Sequence, residues 1–231
     1  RAHRQLDGCV PYSVLPGNHD GAPGNTPLYN KYFPPERFEG YCFYGGHKDD
    51  NNDNNYCFFH AAGTTFMVLS LEHNPRDETL VWADDVVAAH PECRVIVATH
   101  CYLTPQGRNK TGEHIWNRFV RKHENIFMVL SGHVLGVAHQ TSLNDAGGRV
   151  HEILCDYQGL PHGGDGWLQT LCFVPAEDRV HVRAYSPLLD EYNDAPEHSY
   201  TLDYDMIVCR PTKAAGSRFA RIGLRRGCRV G

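Results

Sequence analysis

No apolar run in this chain approaches the roughly 18 residues that a membrane-spanning helix needs, and Pro, Gly and Asn interrupt the runs there are. A membrane partner is therefore not expected. The nine cysteines include no Cys-x-x-Cys pair and no regular spacing, which argues against a disulfide framework. Two of them sit in apolar stretches, Ile153-Leu154-Cys155 and Leu171-Cys172-Phe173, where a reduced cysteine acts as a small hydrophobe. This leans toward a reducing, cytoplasmic setting and leaves the compartment open. There is no Gly-x-Ser-x-Gly elbow, so a carboxylic-ester hydrolase is a low-ranking alternative. Acids are missing from Arg210 to Gly231, which holds seven Lys/Arg, so all 27 Asp and Glu fall in residues 1–209 against 15 basic residues. A body that acidic is a poor partner for a nucleic-acid backbone.

What is present suits one core: 231 residues, 41% of them apolar. Residues 1–206 read as one domain, and 207–231 as a basic tail without periodicity, disordered or non-native. The chain opens at Arg1 on what reads as the end of a helix, so the expectation is a domain entered in mid-fold. Val10–Leu15 reads as a short buried strand. Residues 21–55 read as a long loop over a site, because a free linker would not carry so many aromatic rings. Within it, the acidic run from Asp49 to Asn55 reads as solvated, since it lacks the closing glutamate of a calcium loop.

Strands are expected at Tyr56–Ala62 and Thr64–Glu72, paired across Gly63. A helix follows from Asn74 to about His90, then a strand at 94–99, a helix over Glu113–His123 and a strand at 126–131. Beyond His151 come strands at 150–156, 167–174, 179–186 and 199–204. The Gly-rich run 160–166 lacks the lysine and helix of a phosphate-binding loop and reads as a hairpin loop beside the site. A βαβαβ front and an antiparallel back predict an α/β protein, with two sheets packed face to face and helices outside.

Three apolar runs end in side chains that bind metals or move protons. The first closes on Leu15-Pro16-Gly17-Asn18-His19-Asp20, the second on His100 and the third on Gly132-His133. Open α/β sheets place their sites at such carboxyl ends. Asn18, His100 and His133 are neutral oxygen and nitrogen donors, suited to a borderline divalent ion (Zn, Mn, Fe or Co) rather than Ca or Mg. His73, after Leu71-Glu72, is a weaker candidate for the cleft, and so is Asp156-Tyr157-Gln158.

These residues resemble the calcineurin-like metallophosphoesterases, whose pattern ends in Gly-Asn-His-Asp/Glu, a lone strand-end histidine and Gly-His-x-His. Gly17-Asn18-His19-Asp20, His100 and Gly132-His133 match in order. The family's earlier Asp-x-His and Gly-Asp-x-x-Asp elements are not in the chain, and Leu135 stands where the last histidine belongs. The resemblance implies a four-layer α/β/β/α sandwich of two mixed sheets, here incomplete at its amino terminus. It implies one or two divalent transition-metal ions, held in part by Asn18, His100 and His133. It also implies hydrolysis of a small-molecule phosphate ester, monoester or diester. Metal-bound hydroxide would attack phosphorus, His19 would be the general acid, and Asp20 would orient its imidazole. The departures keep open a degenerate member that binds one metal or phosphate with little turnover. His139 is a remote substitute for the missing histidine.

Overall fold

The computed structural model describes residues 2–205; the basic tail at 207–231 lies outside them. In chain order the strands are β1 (Tyr44–His47), β2 (Asn55–Ala61), β3 (Thr64–Leu71), β4 (Arg94–Thr99), β5 (Leu103–Thr104), β6 (Gly107–Arg108), β7 (Ile126–Ser131), β8 (Gly136–Leu143), β9 (Arg149–Asp156), β10 (Leu168–Val174), β11 (Arg179–Ser186), β12 (Glu191–Asn193) and β13 (Ser199–Asp203). The helices are α1 (Pro27–Tyr32), α2 (Asp77–Ala89), α3 (Lys110–Arg118) and the single turn α4 (Pro161–Gly164). Seven strands form a mixed sheet in the order β1-β2-β3-β4-β7-β9-β8. Its centre, β3, β4, β7 and β9, is parallel, and the flanking β2 and β8 run antiparallel to it. In the second sheet β10, β12 and β13 all pair antiparallel with β11, while β5 and β6 form a small separate ribbon.

The parallel strands are continuous apolar runs because both faces are covered. On one face Leu80, Ala83 and Val87 of α2, spaced three and four apart, pack with Ile115 and Trp116 of α3 and Phe119 against Met67, Leu69, Val95, Val97 and Val129. On the other, Phe66, Ile96, Met128 and Ile153 meet Val180, Val182 and Leu202 of the second sheet. Full burial of each such side chain contributes about 1.5–3 kcal/mol. The second sheet alternates, with Val180, Val182 and Ala184 inward and Arg179 and Arg183 outward, as a sheet with one wet face should.

Several expectations need correcting. Val10–Leu15 is irregular rather than a strand: Pro11 and Pro16 flank a four-residue run and supply no amide hydrogen for a ladder. The segment is tied instead through the Ser13 and Ser70 hydroxyls (2.6 Å) and by the Asn55 side chain donating to the Val14 carbonyl (2.9 Å). The α3 helix starts three residues earlier than expected because Asn109 caps it, its Oδ1 accepting from the Gly112 amide at 2.9 Å, and a separate 3₁₀ turn covers Val120–Lys122. The Gly-rich run links β9 of one sheet to β10 of the other, so it is not a hairpin loop.

The acidic run is solvated at Asp49 and Asp50, as expected, but not beyond Asn51. Asn52, Asp53, Asn54 and Asn55 are all buried. Asn52 Oδ1 accepts from the Tyr44 hydroxyl (2.7 Å) and its Nδ2 donates to the Phe33 carbonyl (3.0 Å). Asp53 Oδ1 accepts from Asn30 Nδ2 (2.6 Å) and from Thr26, and Asn54 Oδ1 accepts from the Glu72 amide (2.9 Å). The run is a polar pillar that pins the 21–55 loop to the ends of β2 and β3.

Candidate functional site

Each of the four parallel strands ends in a polar side chain: His73 just past β3, His100 directly after β4, His133 two residues past β7, and Asp156 closing β9. Backbone bonds stitch two of these ends together, the Gly132 amide donating to the His100 carbonyl at 3.1 Å. His133 takes φ +68°, a left-handed conformation uncommon outside glycine, and this turns its ring back over the rim. Gly17 brings the Asn18 turn against the same rim, and a Cβ there would lie 3.0 Å from the His100 ring.

The result is a convergence. His100 Nε2 lies 2.8 Å from Asn18 Oδ1, across 82 residues, and 3.1 Å from His133 Nδ1. The His73, His100 and His133 rings form a triangle with centroids 4.8–5.4 Å apart. Partial burial pushes the pKa of His100 down, helped by His133 and His73 and opposed by Asp156 and Asp20; burial, then His133, lowers that of His73. Neutral imidazoles are the form that binds a metal ion.

His19 and Asp20 are exposed on the turn. Asp20 Oδ2 accepts the Gly17 amide at 2.8 Å, so the carboxylate closes its own turn rather than bonding the His19 ring. His139 is not near this site: it lies on β8, stacked on Tyr200 at 3.8 Å. Leu135 is 56% exposed and borders a cleft of about 530 Å³ that Asp156, Tyr157, Leu160 and His198 also line. A smaller apolar hollow, lined by Ala61, Phe66 and Phe173, sits at the other end of β3, away from these donors.

Cys101 is the residue that sequence reasoning missed. Its sulfur, with one ligand atom each of His73 and His133, falls in a cluster whose members lie within 4.8 Å of one another. The only signal for it was adjacency to His100.

Imidazoles and an amide gathered at the carboxyl ends of parallel strands stand where open α/β sheets place their ligand sites. The chain belongs to the calcineurin-like phosphoesterase family, whose model matches residues 2–136. That family comprises metal-dependent hydrolases of small phosphate esters. The chain is 37% identical over 211 residues to the uncharacterized protein YvnB of Bacillus subtilis (strain 168), covering 84% of this chain and 16% of that protein's length. Among solved structures, the NAD nucleotidase of Haemophilus influenzae matches with a TM-score of 0.34 and 11% identity, over 58% of this chain and 25% of the other. No helix among the described residues is long and apolar enough to cross a membrane.

Proposed function

We propose that this chain carries the catalytic rim of a metal-dependent phosphate-ester hydrolase, with Asn18, His100 and His133 holding a divalent transition-metal ion. The observation behind this reading is the convergence of Asn18 Oδ1, His100 Nε2 and His133 Nδ1, at 2.8 and 3.1 Å, from three distant segments. Three acceptor-capable atoms around one point are a donor set that fits a borderline divalent ion. When bound, such an ion supplies Lewis-acid charge at the phosphoryl group and lowers the pKa of water.

The chain's own groups do the rest. His19, exposed on the Gly17–Asp20 turn, donates a proton to the departing alkoxide. Asp20 is a positioning residue that holds the Gly17 amide and with it the turn that aims His19. The cleft beside Leu135 receives the alcohol portion of the ester; its 530 Å³ matches a small molecule.

A second reading, one ion with little turnover, is favoured by the exposed Leu135, which offers no donor at the rim. Metal content and turnover of aryl and alkyl phosphates, before and after chelation, separate the two. Chelator-sensitive turnover is expected, and His19→Ala should lower it about 10²–10⁴-fold for alkyl esters, less for aryl esters, with metal content unchanged. Turnover that survives chelation would overturn the proposal, and bound metal without turnover would establish the second reading.

A further inference from the structure

Asn18, His100 and His133 are neutral oxygen and nitrogen donors, to which a thiolate would add negative charge and softness. The same rim holds a group that can supply the charge. Cys101 is buried, follows His100 directly, and groups its sulfur with His73 and His133 inside a 4.8 Å span. We propose that Cys101 joins His73 and His133 as a thiolate ligand, making this rim selective for a zinc- or cobalt-type ion over a hard ion such as magnesium. The proposal rests on the reading above for the role of His133 and adds a thiolate and a third imidazole beside it.

Both additional donors hang from the first turn of α3. Asn109, the cap of that helix, donates from Nδ2 to the Cys101 sulfur at 3.0 Å while its Oδ1 holds the Gly112 amide. Thr111 donates its hydroxyl to Asn74 Oδ1 at 2.7 Å, and Asn74, at φ +58°, is the residue after His73. The sulfur directly, and the imidazole through the neighbouring Asn74, are thus tied to one helix start, which lowers the cost of organising them around an ion. Zinc–sulfur bonds near 2.3 Å and zinc–nitrogen bonds near 2.0 Å require the ligands to draw together through small side-chain adjustments. On binding, the thiol proton passes to solvent and the sulfur lone pair forms the bond to the ion. Imidazole and thiolate together select borderline and soft ions, whereas magnesium prefers oxygen.

A second cluster, His90, Glu92 and Cys93, provides the internal control. The metal-free 231-residue chain is titrated with Co²⁺ while its d–d absorption and its thiolate-to-cobalt charge-transfer band are followed. A charge-transfer band is expected that Cys101→Ser removes, Cys93→Ser keeps and Zn²⁺ displaces. Because Cys101 is buried, His73→Ala gives a second variant at a half-buried position. Both Cys101→Ser and His73→Ala should weaken cobalt binding by at least about 10-fold. Bound cobalt without the band, a band that survives Cys101→Ser or disappears in Cys93→Ser, or unchanged affinity in His73→Ala would each overturn the thiolate while leaving the Asn18–His100–His133 reading standing. Failure to bind cobalt at all would overturn both.

Discussion

Two polar regions rest on the ends of the same sheet and are organised in opposite ways. Under the 21–55 loop, Asn52, Asp53, Asn54, Asn55 and Glu72 are almost without solvent exposure, and nearly every polar atom there has a protein partner, Glu72 accepting from the Gly24 amide (2.6 Å) and the Thr79 hydroxyl (2.9 Å). At the rim, Asn18, His73, His100 and His133 are half-buried or exposed, and the bonds they make are mainly to one another. A polar group removed from water must be satisfied by the protein, or it costs about 1–3 kcal/mol. The pillar is therefore bound to be structural. The rim keeps its lone pairs available to a ligand because it is only partly closed.

The sharpest way to break that comparison is to remove one amide from each region. Asn52→Ala leaves the Tyr44 hydroxyl and the Phe33 carbonyl without their partner, and should cost about 1–3 kcal/mol of unfolding free energy. Asn18→Ala, on an exposed turn, should change stability by less than about 0.5 kcal/mol and still abolish metal binding. Urea unfolding of the metal-free variants measures both. Equal losses would mean that the rim too is a folding element.

A second test uses pH. His151 is buried in β9, and its two ring nitrogens join the sheets: Nδ1 accepts from Thr141 of β8 at 2.9 Å, and Nε2 donates to the Asp203 carbonyl of β13 at 2.8 Å. Burial, assisted by Arg149, holds its pKa below the ordinary 6.5, against the opposing bond to Asp203. The unfolded chain then takes up this proton first, so stability must fall as pH drops through about 6.5. His73, His100 and His139 are shifted the same way and add to the slope. The urea midpoint should decrease between about pH 7.5 and 5.5, and His151→Gln should flatten part of that decrease. An identical slope in the variant would remove His151 from the account.

How much of each region could be read in advance follows from where its partners lie. The strand-end histidines were legible because the signal is local: an apolar run sets the strand, and the next residue is delivered to its carboxyl end, as at Ala98-Thr99-His100. The central strands and α2 were readable for the same reason of periodicity. The pillar was not, because Asn and Asp in a row look like a loop until Asn30, Tyr44 and Glu72 arrive from elsewhere to bind them. Strand β8 gave only a faint signal, since Ala138, Gln140 and Ser142, the more buried residues of its alternation, are small or polar. Cys101 and His73 meet only in the fold, and nothing in their spacing announces it.

The smallest effect sharpens the comparison most, because it opposes stability to function at one residue. His133 is the one donor of the rim held at positive φ, +68°, a conformation that costs a non-glycine residue about 1–2 kcal/mol. A residue chosen for folding alone would be glycine, which adopts that turn freely and loses part of the gain to its larger unfolded-state entropy. His133→Gly should therefore raise the unfolding free energy of the metal-free chain by up to about 1 kcal/mol while eliminating metal binding. Loss of stability in this variant would show that the imidazole contributes packing against His73 and His100 beyond its strain, and the rim would then belong with the pillar as a structural element.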